Sequence, residues 1–288
     1  MFASPFAYHR ATTIADASRL LAENPGAKLL AGGHSLLPLL KLRLAAPETL
    51  VDIGRVAELK GIAEKDGRIR IGALSTHADI AGSAVVRAGC PVLAEAAERI
   101  GDPAVRNRGT IGGSVAHADP GADLPTVLVA LDAGIEAAGA TGPRSIPAAA
   151  FFTGLMTTAL GSDEIVTGIV VSRLGGGSAA AYVKFPHPAS RYAVIGAAAF
   201  VSASQGTIES VRVVVGGLVP QPTRLGAVEA ACAGQPATDA IAERAAAQTG
   251  GALGDEVLGD IFASAEYRRA VAPIYVQRAL SAALSRVA

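Results

Sequence analysis

Short apolar runs broken by glycine-bearing turns set the rhythm of the first half of the chain. Residues 28–31 read as a strand running into Gly32-Gly33. Leu36, Leu37, Leu39, Leu40 and Leu42 then predict a short apolar helix, with Ser35 at its N-cap and Pro38 tolerated in the first turn. Residues 50–53 form the next strand. Segments 61–64 and 68–72 flank Lys65-Asp66-Gly67, and Asp-Gly between alternating segments predicts a hairpin. Helices are predicted over 76–81, 92–100 and 124–131, the last with Asp123 as N-cap, and strands over 134–138 and 165–171. Gly175-Gly176-Gly177-Ser178 interrupts the pattern and marks a domain boundary. Beyond it come three strands (179–185, 192–203, 208–216) and then three helical stretches (225–232, 239–249, 265–284). Strands followed by helices indicate an α+β fold, the last domain having a three-stranded antiparallel sheet with helices.

Composition narrows the function classes. The chain has 288 residues, half of them hydrophobic and 17% charged, which predicts a globular protein of about two domains. Its 25 basic and 25 acidic residues cancel, and no Lys/Arg run offers a nucleic-acid or lipid footprint. No apolar stretch approaches the roughly 20 residues of a membrane span. The first six residues lack the basic and apolar regions of a secretory signal, so a cytoplasmic protein is expected. Abundant alanine with few aromatics suggests surface buried against partners. Two cysteines, Cys90 and Cys232, cannot supply the four thiolates of an iron–sulfur cluster, nor do they form a zinc pair. Both read as small buried hydrophobes, not a disulfide. The five histidines (His9, His34, His77, His117, His187) fall into no metal-binding pattern.

The remaining chemistry lies in two loops, Ala31-Gly32-Gly33-His34-Ser35 and Gly109-Thr110-Ile111-Gly112-Gly113-Ser114. Adjacent glycines allow sharp turns and close backbone approach. Successive N–H groups and a helix N-terminus favour phosphate oxygens. Neither loop has the G-x-G-x-x-G or G-x-x-x-x-G-K-[ST] spacing, which excludes the two commonest nucleotide fingerprints. Either alone is an ordinary turn. Together, far apart in sequence, they suggest one elongated anionic ligand held from two sides, with a dinucleotide the natural candidate.

With their flanks, these loops resemble the FAD-binding medium subunit of molybdenum hydroxylases, the carbon monoxide dehydrogenase and xanthine dehydrogenase family. The match continues through Ala116 to Pro125, through Tyr182-Val183-Lys184-Phe185, and through Ala189-Ser190-Arg191-Tyr192-Ala193, and it covers nearly the whole chain. The resemblance implies a two-lobed FAD-binding domain of the vanillyl-alcohol oxidase or PCMH type over 1–175 (small lobe about 1–55, larger lobe about 56–175), and a C-terminal flavoprotein domain over 178–288. It places the cofactor's pyrophosphate and ribityl portions along Ala31, Gly32, Gly33, His34 and Ser35, and along Gly109, Thr110, Ile111, Gly112, Gly113 and Ser114. His117 either faces the cofactor or is a partly exposed loop residue. Asp123 takes ribose hydroxyls, caps a helix, or does both. Lys184 stands near the flavin N1–C2=O end, or else points to solvent as an ordinary strand lysine. Tyr192 packs on the isoalloxazine ring, or else fills core. Ser114 and Arg191 depart from the Asn or Asp and the acidic residue of many relatives, which bears on flavin potential and acceptor.

The function implied is electron transfer. Electrons pass from [2Fe–2S] clusters on a small subunit, through FAD, to NAD or a quinone-linked acceptor. A large subunit carries molybdopterin, and the assembly is a dimer of heterotrimers. A stand-alone FAD-dependent oxidoreductase of the same fold, and a flavin-free scaffold whose loops are only turns, are the alternatives.

Overall fold

The computed structural model describes residues 2–287; Met1 and Ala288, the outer ends of the two predicted domain ranges, lie outside them. The chain begins with a parallel sheet ordered β1-β3-β2, built from β1 (Ala7–Arg10), β2 (Lys28–Leu30) and β3 (Thr49–Asp52). Parallel strands need crossovers. Helix α1 (Ile14–Glu23) supplies one and α2 (Leu36–Lys41) the other. Strand β1 and helix α1 add to the predicted elements. All four residues of β1 are exposed, so no alternation betrays it. Helix α1 is capped by Thr13, which accepts from the Asp16 N–H, and it buries Ala17, Leu20 and Leu21. Ser35 holds the N-cap position of α2 as expected, but its side chain makes no capping bond.

The next segment opens with the predicted hairpin, β4 (Ile62–Lys65) and β5 (Arg68–Gly72), turned by Asp66 and Gly67 at positive φ. Helices α3 (His77–Gly82), α4 (Ala84–Gly89), α5 (Pro91–Glu98), α6 (Pro103–Arg106), α7 (Ile111–His117) and α8 (Asp123–Ala130) follow. Then come β6 (Gly134–Gly139), β7 (Gly142–Pro147), α9 (Ala148–Phe151), the small pair β8 (Phe152–Gly154) and β9 (Thr157–Thr158), and β10 (Ile165–Ser172). An antiparallel sheet ordered β4-β5-β10-β6-β7 results. Its core of Ile69, Ile71, Leu93, Ile111, Leu124, Leu128, Ile135 and Ile165 is continuous with Val51 and Ile53 beside the first sheet.

The third sheet is β11 (Ser178–Pro186), β12 (Ala193–Ser204), β13 (Thr207–Gly216) and β14 (Thr223–Arg224) in sequence order, so a two-residue fourth strand joins the predicted three. Helices α10 (Gly226–Cys232), α11 (Asp239–Ala246), α12 (Thr249–Ala252) and α13 (Ala265–Val287) follow. Successive strand residues face opposite sides. Ala198 and Tyr182 join the core shared by the first two sheets, while Ala197, Ala199 and Val213 join a second core with Val228, Ile241, Val276 and Leu280. The sheet is thus buried on both faces. Cys90 and Cys232 are buried and unpaired, and burial raises their thiols to about 12 and about 11.

Candidate functional site

A cavity of about 610 Å³ lies where the three sheets meet. Its wall takes the first glycine loop, the second loop and α7, the start of β10 at Ile165 and Val166, and the turn Ser190-Arg191-Tyr192. Of the fifteen predicted site residues all but Ile111 and Lys184 line it.

The two loops differ in what they offer. Gly33 has φ +77°, which glycine adopts without strain. Gly32 sits hard against the second loop, where an added Cβ would stand 2.0 Å from the Arg108 carbonyl oxygen. Among the described residues, the N–H groups of Gly32, Gly33, His34 and Ser35 have no protein acceptor. The second loop spends its donors internally. Ile111 N–H donates to Ser75 O (3.0 Å), Gly112 N–H to Ala73 O (2.9 Å), and Gly113 N–H to Thr110 Oγ1 (3.2 Å). Two N–H cradles were expected, and the structure has one. The second loop is instead the capped start of α7, fastened to the chain around Ala73. Ile111, expected among the cofactor-binding residues, is wholly buried core and does not line the cavity. Thr110 still has a hydroxyl proton to donate.

Asp123 also departs from expectation. Ala122 holds the N-cap position and Asp123 is the first helical residue. Its carboxylate takes Tyr182 Oη at 2.6 Å on Oδ1 and Lys184 Nζ at 2.8 Å on Oδ2. Lys184 Nζ also donates to Arg99 O (3.2 Å), and Arg99 Nη1 to Tyr182 O (3.1 Å). The circuit ties α5, α8 and β11 together. Both charged side chains are 4% exposed. Burial pushes the Asp123 carboxyl up, against the pull of Lys184, Tyr182 and Arg99, and raises the Tyr182 hydroxyl well above its ordinary value. Lys184, expected near the flavin or in solvent, is buried off the cavity lining with its ammonium paired to Asp123.

The 187–192 turn is held by its own bonds. His187 Nδ1 accepts the N–H groups of Ala189 and Ser190, and His187 N–H donates to Tyr192 O (2.8 Å). Tyr192 lies over Gly121, where a Cβ would come within 3.1 Å of its ring. Burial and nearby Asp119 raise its hydroxyl pKa. Arg191, at φ +60°, lines the cavity and has no ion pair among the described residues. His117 and Ser114 are wall residues on α7.

Sequence reading missed Leu74, His77, Ile100, Val105, Ile165 and Val166 in the wall. The apolar ones carry no signal separating wall from core. His77 had one: Thr76 and Asp79 form a capping box that sets it at the first position of α3. Among the described residues no cluster of His, Cys, Asp or Glu could hold a metal, and no helix is long and apolar enough to cross a membrane.

Residues 4–173 match the FAD binding domain in molybdopterin dehydrogenase, and residues 180–283 the CO dehydrogenase flavoprotein C-terminal domain. The chain is 39% identical to the carbon monoxide dehydrogenase medium chain of Hydrogenophaga pseudoflava, over 98% of each chain. It is 35% identical to the nicotine 6-hydroxylase medium subunit of Paenarthrobacter nicotinovorans, over 97% of each. A solved structure of the Hydrogenophaga pseudoflava carbon monoxide dehydrogenase, lacking the Mo-pyranopterin moiety of its cofactor, superposes with a TM-score of 0.96 at 40% identity, covering both chains fully.

Proposed function

We propose a function from one premise: the chain belongs to the family of FAD-binding medium subunits of molybdenum hydroxylases. It is an oxidoreductase subunit whose cofactor is FAD, and its relatives are medium subunits of complexes with other chains. Within that frame the chain is the complex's electron relay. Reducing equivalents arrive from [2Fe–2S] clusters on a small subunit and leave to NAD or a quinone-linked acceptor. Substrate is oxidised on a large subunit carrying molybdopterin. The two buried, unpaired cysteines support this division, because neither can serve a cluster here. A dimer of heterotrimers in the cytoplasm is the assembly we propose.

One observation carries the reading: four consecutive unspent backbone N–H groups, Gly32 to Ser35, on the wall of a cavity of cofactor size. A dinucleotide's two phosphate charges need such donors, so the residues present fit FAD. When bound, FAD supplies the redox chemistry. The chain's residues do the holding. The first loop donates to phosphate, and the Thr110, Ser35 and Ser114 hydroxyls add bonds along the chain of the ligand. Asp123, held by Tyr182 and Lys184, accepts from ribose hydroxyls. Tyr192 screens one face of the site, and Arg191 sets a positive charge at the same wall.

The test is purification of the tagged chain from its own host, with iron, molybdenum and acid-released flavin measured against protein. Co-elution of an iron–sulfur and a molybdenum chain with released FAD is expected. A lone yellow chain that oxidises substrate unaided would favour the stand-alone oxidoreductase. A colourless chain that takes up no FAD, alone or with partners, would overturn the cofactor assignment.

A further inference from the structure

One polar side chain in the cavity wall is buried without a partner. His77 opens α3 and is 5% exposed, and its Nδ1 has no hydrogen-bond partner among the described residues. Its own backbone N–H donates to Gly109 O (2.9 Å). The ring occupies the space a side chain at 109 would need: an added Cβ there would fall 2.8 Å from His77 Cδ2 and 2.9 Å from Nε2. Gly109 is itself a wall residue, so the second loop gives way for this imidazole. The titratable and charged groups facing the ring are His34 of the first loop and Arg106 of α6; among the described residues no carboxylate does. Burial first, then these two neighbours, bring its pKa down to about 4, so the ring is neutral with a single N–H. A stranded acceptor is tolerated in proteins more often than a stranded N–H. The proton therefore belongs on Nε2, the nitrogen on the Gly109 edge.

We propose that His77 binds the cofactor, its Nε2–H donating to an acceptor atom of the bound FAD on the cavity floor between the two glycine loops. The inference rests on the chain's being an FAD-binding subunit and adds a binding residue outside both glycine loops. A neutral donor suits the place. It adds a hydrogen bond without adding a cation beside His34 and Arg106.

The test uses the full chain stripped of flavin, as wild type, His77→Leu and His77→Gln. Each is titrated with FAD by flavin fluorescence, and the Tm of each apoprotein is recorded. We expect His77→Leu to raise the FAD Kd about tenfold while the apoprotein Tm holds or rises, because an unpartnered polar group has gone. His77→Gln, which keeps an N–H donor, should recover part of that affinity. Unchanged FAD affinity in His77→Leu overturns the proposal. So does a fall in apoprotein Tm that tracks the lost affinity in both variants, which would mark a packing histidine. If His77→Leu fails to fold, His77→Gln decides: affinity within about threefold of wild type supports a donor role, and a larger loss with the fold intact overturns it. A wild-type chain that binds no FAD overturns this inference and the cofactor assignment together. Wild-type binding beside an unaffected His77→Leu overturns the inference alone.

Discussion

Gly32 and Gly113 line the same cavity for different reasons, and single substitutions separate them. A methyl at Gly32 would collide with the Arg108 carbonyl at 2.0 Å, so Gly32→Ala must push the two loops apart. A loss on the order of 3 kcal/mol is expected, read as a lower urea midpoint. A methyl at Gly113 meets only Thr110 Oγ1, at 2.8 Å. Gly113→Ala should keep the fold, cost about 1 kcal/mol through the disturbed cap, and weaken FAD binding. The buried Asp123–Lys184 pair gives a second prediction. Lys184→Met strands a carboxylate and should cost about 3–5 kcal/mol, while the Asp123→Asn/Lys184→Met double variant should lose less than Lys184→Met alone. Denaturant melts of the wild type and these two variants check it. His77 gives a third. Its pKa is 6.5 unfolded and about 4 folded, so between these values the unfolded chain holds the extra proton and stability rises with pH. Acidification from about 6.5 toward about 4 should erode apoprotein stability, and His77→Leu should remove that part of the slope.

At the scale of elements, the start of α7 shows most clearly how far sequence reading went. The residues Thr110-Ile111-Gly112-Gly113-Ser114 were legible as a glycine motif, but not as a capped helix whose N–H groups are already used. That use depends on Ala73 and Ser75, more than 30 positions earlier, and no local pattern reports it. The 62–72 hairpin was legible because Asp66-Gly67 is a local signal, and α3 because its cap lies within four residues. Strand β1 was not, since only its pairing with β3 makes it a strand. Asp123 misled for a related reason: an acidic residue before an apolar run looks like a cap, and only the fold brings Tyr182 and Lys184 to it. Because Thr110 Oγ1 both caps α7 and lines the cavity, Thr110→Val should cost about 1 kcal/mol and loosen FAD together. Thermal melts with and without FAD separate the two effects.

For the whole molecule, the cavity is a meeting place of three sheets, so a ligand there bridges all of them. Protein bonds through residues outside the cavity wall also tie the second segment to the third: Arg286 reaches Glu95 and the Ala180 carbonyl, and Arg99 reaches the Tyr182 carbonyl. FAD at a hundredfold excess over its Kd should add about 2.7 kcal/mol of stability, checked by calorimetry of stripped and reloaded protein. The inequality of the two glycine loops also has a signature in deuterium exchange. Amides with no acceptor trade their protons with solvent freely, whereas amides fastened inside a helix start do so only when that start opens. In the stripped protein, peptides spanning Gly32 to Ser35 should take up deuterium fast and those spanning Ile111 to Gly113 slowly; on loading, the first set alone should slow markedly, giving a footprint on one loop of an apparent pair.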